Sequence, residues 1–136
     1  MKPQRIDLRG ADGVDDVAKR VLETRLSEVR ALAGQLESRE RRGLHHFRIA
    51  CKRLRYALER FEALDSSFAL AADRLARLQD ELGEAHDRDV LLAILPPAMG
   101  QTERRLKGER EACVDRGIML WSELRGLMQA IDSHHF

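Results

Sequence analysis

Apolar residues recur along most of the chain at steps of three and four positions, the spacing that brings them onto one face of an α-helix. The pattern predicts helices over residues 14–37 and 44–64, a third from a turn at residues 65–67 to residue 94, and a fourth over residues 98–131. Strand-like alternation never extends beyond a few residues. The sequence therefore predicts an all-α protein, an antiparallel four-helix bundle with a long C-terminal helix.

Turn-forming residues mark where these helices begin and end. Residues 1–13 contain glycine and proline without periodicity, and we interpret them as a flexible lead to a single domain at residues 14–132. Gly43 closes the first connection, and two prolines at residues 96–97 end the third helix. Residues 133–136 are expected to form a frayed tail.

The second predicted helix has two faces of opposite character. One face, within about 120° of arc at about 100° per residue, carries apolar residues: Phe47, Ala50, Leu54, Ala57, Leu58, Phe61 and Leu64. The opposite face carries His45, Arg48, Lys52 and Arg55, which we call the basic row. We expect the first face to pack into the core and the basic row to meet solvent.

Charge is distributed unevenly along the chain. The whole protein has a net charge of only +1, yet residues 39–60 hold eight Lys and Arg against two Glu, a net +6, which leaves −5 for the remainder. A concentrated cationic patch on a mildly acidic body favours a local anion site over a surface that is coated in nucleic acid.

Two motifs carry a family resemblance. The pattern H-x-x-R-x-x-x-K-R-L-R-Y begins at His45, and LQDELGEAHDRDVLL follows at Leu78–Leu92. In this order and at this separation they resemble the CHAD family, the conserved-histidine α-helical domains, over roughly residues 14–127. The resemblance implies a helical bundle that binds inorganic polyphosphate through a basic surface. A typical CHAD domain is about twice this long and carries the helical set twice, so this chain resembles one half of such a domain.

The same resemblance assigns the ligand-binding residues. The polyphosphate-binding residues that it implies are His45, Arg48, Lys52 and Arg55, with Arg53 turned more to the side. Arginine suits phosphate because its planar fork donates two parallel hydrogen bonds. At the start of its predicted helix, His45 also lies near free backbone N–H groups. A second candidate bank of cations on the last helix is formed by Arg104, Lys107 and Arg110.

Asp89 falls on the apolar stripe of the third helix, where a carboxylate needs a partner. We expect Asp87 and Asp89 to accept hydrogen bonds from Arg53 or Arg55 and so to brace the basic row. The alternative is that one or both carboxylates are exposed at a helix end. Gly83, inside the same helix, indicates either the close approach of a neighbouring helix or a bend.

A single copy of a two-copy architecture predicts that two chains associate about a two-fold axis as a homodimer. We expect the seam in the second half of the last helix, whose apolar stripe is wider than one bundle needs. Its residues are Ile118, Leu120, Trp121, Leu124, Leu127, Met128 and Ile131. Three glycines leave the continuity of that helix open.

Several classes of protein are disfavoured. The chain has no long apolar run and its N-terminus lacks the apolar middle of a signal peptide, so we expect no membrane association and a cytoplasmic protein, with polyphosphate granules as a candidate location. Cys51 and Cys113 are expected to remain reduced.

Catalysis and metal binding find little support. No glycine-rich phosphate loop, magnesium-binding acidic cluster or paired nucleophile and base is visible, so we predict a binding module without a cofactor rather than an enzyme. His45 and His46 are adjacent and point in different directions, and His86 has no His or Cys four residues away, so we expect no metal site.

Two other functions remain as alternatives to polyphosphate binding. One is a nucleic-acid-binding protein, which is disfavoured because Tyr56 and Trp121 are the only large polar-edged aromatic residues and no base-reading motif is visible. The other is a structural or partner-binding bundle without a ligand.

Overall fold

Helices occupy most of residues 2–132, the part of the chain that a computed structural model describes; side chains are described for residues 2–129. The helices are α1 at Gly13–Leu32, the one-turn α2 at Gln35–Ser38, α3 at Arg41–Arg60, α4 at Ser66–Ile94 and α5 at Gly100–Asp132, with a 3₁₀ turn at Glu62–Leu64. No strand forms within the described residues, so the predicted all-α bundle with a long last helix is confirmed. The tail predicted at residues 133–136 lies outside them.

The core is built from the apolar stripes that the sequence predicted. α3 packs against both α1 and α4, and α4 packs along α5. The rings of Phe47 and Trp121 meet edge to face with their centroids 5.5 Å apart, which joins α3 to α5. Large side chains with almost no exposure come from every long helix: Leu22, Leu26, Phe47, Leu54, Leu58, Phe68, Leu75, Leu78, Leu124 and Met128. Each side chain contributes about 1.5–3 kcal/mol by leaving water, so the burial of these side chains is the main source of stability.

The first predicted helix is interrupted, which corrects the prediction that it continues to residue 37. α1 ends at Leu32, and Gly34, a poor helix former, precedes α2. α2 ends at Ser38 and is capped by Arg39, whose backbone is left-handed with a φ of 59°. The side chain of Arg39 pairs with Glu111 and Asp115 of α5 at 2.6 and 2.5 Å, which offsets the cost of a non-glycine residue in this region.

The second correction concerns Gly43. The residue does not close a loop, because α3 begins at Arg41 and Gly43 is buried in its first turn. A Cβ at this position would lie 2.8 Å from Cδ of Gln35 and closer still to Oε1 of that side chain. Gly43 therefore permits the close approach of α2 and α3.

The connection from α3 to α4 is longer than predicted and includes a 3₁₀ turn. α3 ends at Arg60 and the 3₁₀ turn takes up the last predicted residues of that helix. Asp65 then caps α4, because its carboxylate accepts a hydrogen bond of 2.8 Å from the backbone N–H of Ser67. A cap in this turn was predicted and is confirmed.

α5 is continuous through its three glycines. A Cβ at Gly117 would lie 3.4 Å from Cδ2 of Leu82, so this glycine lets α5 approach α4 closely. Trp121, Leu124 and Met128 are at most 8% exposed because they pack into the core of their own chain. The prediction that this face is wider than one bundle needs is therefore wrong for them. The side chain of Ile131 lies outside the described residues.

The lead at residues 2–12 contains no helix and lies along α1. The backbone N–H of Gln4 donates to the carboxylate of Glu28 at 2.9 Å, and Arg20 donates to the carbonyls of Asp7 and Arg9 at 3.0 and 2.8 Å. Glu28 is only 4% exposed and also pairs with Arg25 at 2.6 Å. The bonds from Gln4 and Arg25 satisfy the carboxylate of Glu28, which would otherwise be buried without a partner.

Two further sequence predictions concern thiols and membranes. Cys51 and Cys113 are free and buried, as predicted. Burial raises the pKa of the Cys51 thiol far above its ordinary value. Within residues 2–132, none of the helices combines the length and the apolar character that crossing a membrane requires.

Candidate functional site

The basic row lies along a groove between α3 and α4. The two helices are antiparallel neighbours, so that His45, near the start of α3, shares a small cavity with Asp89, near the end of α4. The side chain of Arg48 also lines a larger cavity of about 360 Å³. Its other lining residues all belong to α4: Gln79, Asp80, Gly83, Glu84, His86 and Asp87. One wall of the groove is therefore cationic, and α4 forms the other.

Gly83 allows Arg48 to lie against the backbone of α4. A Cβ at position 83 would be 3.4 Å from Nη2 and 3.5 Å from Nε of Arg48. α4 continues through this glycine without a break. Of the two predicted reasons for Gly83, close approach is confirmed, although the approaching group is a side chain of α3 rather than its backbone.

Three polar side-chain atoms of α3 and α4 are buried without a hydrogen-bond partner. They are Nε of Arg48, Nε of Arg55 and Oε1 of Gln79, and no other buried side-chain nitrogen or oxygen is recorded as unpartnered in the described part of the chain. A buried polar atom without a partner costs about 1–3 kcal/mol. The closest carboxylate to Nε of Arg55, that of Glu59, lies 3.4 Å away. Two donors on α3 and one acceptor on α4 thus remain unsatisfied within the described residues, and Arg48 and Gln79 line the same cavity.

His86 of α4 completes a pair of imidazoles. Its ring stacks on that of His45 with centroids 5.6 Å apart and planes 25° apart, and His46 lies 6.2 Å from His45 on the other side. Desolvation lowers the pKa of His45, and the nearby His86, His46 and Arg48 lower it further. At neutral pH the His45 ring is therefore uncharged, and it gains a proton more readily when an anion binds beside it.

The first turn of α3 corrects one argument about His45. Because the helix begins at Arg41, its free backbone N–H groups belong to residues 41–43, and the N–H of Leu44 already donates to the carbonyl of Glu40 at 2.9 Å. His45 lies one turn beyond these groups. Of His45, only the side chain is therefore available to an anion.

Tyr56 holds two cations of the basic row. Nζ of Lys52 lies 5.7 Å and the guanidinium carbon of Arg55 lies 4.9 Å from the centre of its ring, which is half exposed. Both distances suit a cation–π contact. Arg53 follows Lys52 in the sequence and therefore lies about 100° further round α3. Its side chain is half-buried and lines neither of the two cavities.

Comparison with known protein families supports the motif resemblance. The family model of the CHAD domain matches residues 2–96, more than half of the chain. The chain belongs to the CHAD domain family. The match includes α1 to α4 and hence both walls of the groove, whereas α5 lies beyond it, so the match ends earlier than residue 127. No curated protein and no solved structure matches this CHAD chain.

The second bank of cations predicted for this CHAD chain does not form. Arg110 is 9% exposed and is fully engaged: its guanidinium donates to Asp89 at 3.0 Å, to Glu111 at 2.8 Å and to the carbonyl of Arg39 at 2.6 Å. These bonds give Arg110 a structural role and disfavour the prediction that it binds phosphate. Lys107 pairs with Glu103 at 2.8 Å, and Arg104 is exposed away from the groove.

The bracing contact also differs from the prediction. Asp89 is held by Arg110, not by Arg53 or Arg55, because antiparallel packing puts the end of α4 beside the start of α3 and more than two turns from Arg53. Asp87 is exposed and has no ion pair among the described residues. The link from α4 to the start of α3 instead runs from Asp89 through Arg110 to the carbonyl of Arg39.

The groove contains residues that sequence reasoning did not assign to the site, among them Gln79, Gly83 and His86. All three lie in the second CHAD motif, at Leu78–Leu92, so the signal was present in the sequence. A search of the described residues finds no group of three or more His, Cys, Asp or Glu that could hold a metal ion. His134 and His135 lie outside those residues.

Proposed function

We propose that this CHAD chain is a binding module for inorganic polyphosphate and that the ligand lies in the groove between α3 and α4. The observation that carries the proposal is Nε of Arg48, which is buried in this groove without a hydrogen-bond partner. Nε of Arg55, two turns further along α3, is also buried without a hydrogen bond. Native proteins seldom leave such donors unsatisfied, and phosphate oxygens are the acceptors that arginine matches best.

The spacing of the cations suits a chain of phosphates. Arg48 and Arg55 are seven residues apart, which is about 10 Å along a helix, and Lys52 lies between them. A flexible polyanion with closely spaced charges can therefore contact all three residues at once. On the opposite wall, the imidazole of His86 supplies a further donor beside His45.

The test is a binding titration of polyphosphate against the wild type and the double variant Arg48→Ala/Lys52→Ala. Each charge-assisted hydrogen bond contributes about 1.5–3 kcal/mol, so we expect affinity to fall at least about tenfold. The matched control is Arg104→Ala/Lys107→Ala, which removes the same charge from α5 outside the groove. Equal losses in both variants, with circular dichroism showing that both are folded, would contradict the proposal.

Two alternatives are outcomes of the same titration. A duplex nucleic acid of equal total charge, compared at matched salt, separates polyphosphate binding from general binding to polyanions. Tighter binding to the duplex would favour a nucleic-acid function. A wild type that binds neither polyanion would leave a structural or partner-binding bundle.

We also propose that two copies of the chain associate. The CHAD resemblance implies two helical sets, and this sequence holds one set of the two motifs. With most of the apolar face of α5 buried in the chain, the exposed apolar surface at the end of α4 and after it is the better seam: Val90, Leu91, Ile94 and Met99. Light scattering at micromolar concentration should give a dimer for the wild type and a monomer for Ile94→Asp, and a wild-type monomer would contradict the proposal.

For the place of binding we propose the cytoplasm, and polyphosphate granules in particular. A fluorescent fusion of the chain should concentrate on granules in cells that accumulate polyphosphate. A fusion that stays diffuse in such cells would contradict this part of the proposal.

A further inference from the structure

The wall of the groove that faces the basic row carries negative charge. Asp80 and Asp87 are exposed on α4 and line the same cavity as Arg48. They are seven residues apart and therefore on one face, separated by about 10 Å. We call these two residues the acidic ridge.

The charges of the acidic ridge are not neutralised within the described part of the chain. Neither Asp80 nor Asp87 has an ion pair there. By contrast, Glu84, between them, pairs with Arg88, and Asp73, two turns before Asp80, pairs with Arg77 at 3.6 Å. A ligand in the groove therefore meets cations on α3 and two uncompensated carboxylates on α4.

The two lines of charge differ in what they permit. The acidic ridge runs along α4 beside the basic row on α3, and Arg48 reaches across to Gly83, which lies between the two ridge residues. A single flexible chain of phosphates can contact Arg48 and then follow Lys52 and Arg55 along α3. A nucleic-acid duplex is rigid and holds a second phosphate strand about 12 Å away across its major groove, so it cannot follow the basic row without bringing further phosphates against the acidic ridge.

We infer that the acidic ridge makes the site selective for a narrow, single-chain polyanion and rejects duplex nucleic acid. The inference rests on the proposed polyphosphate function and adds the residues that set its specificity. Like charges brought together at an interface suppress a wrong partner more than they weaken the right one, which is the way in which specificity is commonly obtained.

The test compares affinities for polyphosphate and for a DNA duplex of equal total charge, at matched salt, in three proteins. These are the wild type, Asp80→Asn/Asp87→Asn, and the control Glu23→Gln/Glu37→Gln. The control residues are exposed on α1 and α2, and their change alters net charge by the same amount away from the groove.

We expect the ridge variant to bind the duplex at least about tenfold more tightly than the wild type, while its polyphosphate affinity rises only about twofold to threefold. The control should raise both affinities by the same small factor. A ratio of duplex to polyphosphate affinity that changes equally in the ridge variant and the control would overturn this inference alone. A wild type that fails to bind polyphosphate would overturn the proposed function and the inference together.

Discussion

The basic row on α3 and the cations of α5 resemble each other in sequence, yet the fold uses them differently. On α5, the carboxylates of Glu103, Glu109 and Glu111 form ion pairs with the cations. Each partner lies one helical turn away or is the adjacent residue. On α3, only Glu59 lies within one turn of the row, and it leaves Nε of Arg55 without a hydrogen bond. Unsatisfied donors, rather than the number of cations, therefore distinguish the proposed anion site from a salt-bridged surface.

The largest effect that would sharpen this comparison is on stability. Arg110→Ala removes a cation from between Asp89, Glu111 and the Arg39 carbonyl and leaves Asp89, whose side chain is 13% exposed, without a partner. We expect the free energy of unfolding to fall by about 3 kcal/mol, because breaking one side of a buried pair leaves an uncompensated charge. Urea denaturation measures this.

Arg104→Ala is the matched control for that measurement and should change stability by less than about 0.5 kcal/mol. At urea concentrations near the unfolding midpoint of Arg110→Ala, the fraction of that protein that remains folded should still bind polyphosphate with wild-type affinity. A loss of affinity that exceeds the loss of folded protein would return Arg110 to the binding site.

A smaller effect is expected from Gly83→Ala, on affinity. The new methyl group would press on the guanidinium of Arg48, while the helix gains about 1 kcal/mol of intrinsic propensity. We expect stability to stay equal or rise and polyphosphate affinity to fall about tenfold. A general disruption of the fold would lower both stability and affinity. Calorimetric titration and thermal denaturation together check it. Unchanged affinity would show that Arg48 does not need its place against α4.

The smallest predicted effect is a dependence on pH. The pKa of His45 is lowered in the free protein, so the ring is neutral at pH 7, and bound phosphate raises that pKa again. Between the two pKa values binding takes up a proton, so affinity should increase as the pH falls from 7 to 5, by up to about tenfold for each unit of pKa difference. His45→Gln should flatten the profile, measured at constant ionic strength.

The unliganded protein should show the opposite trend in stability. A lowered pKa means that the unfolded chain binds the His45 proton more readily, so the contribution of this residue is complete above its ordinary pKa and is lost as the pH falls through the lowered value. A wild-type loss of stability that His45→Gln does not reduce would assign the acid sensitivity to other groups.

Periodicity predicted the helices well because burial of one face is a local property of a helix. The basic row was predicted for the same reason, since His45, Arg48, Lys52 and Arg55 share one side of α3 whatever surrounds it. The break between α1 and α2 was missed, because the chain turns there to satisfy contacts of Arg39 with residues of α5 that are distant in sequence.

The partners of individual charges were predicted least well. Asp89 was expected to pair with α3 and is bound by α5, and Arg110 was expected in a second bank of phosphate-binding cations and is buried. Ion pairs form over a few ångströms, so they depend on how the helices are rotated and offset against each other. No helical period carries that information.

The sequence by itself determined the all-α architecture, the two-faced α3 and membership of the CHAD family, because each rests on spacing within one helix or on motifs in order. Only the tertiary structure decided that Gly83, Gln79 and His86 face the basic row and that the cations of α5 are otherwise engaged. The physical reason is that a binding site is made where two helices meet, and the register between them is set by the packing of the whole core.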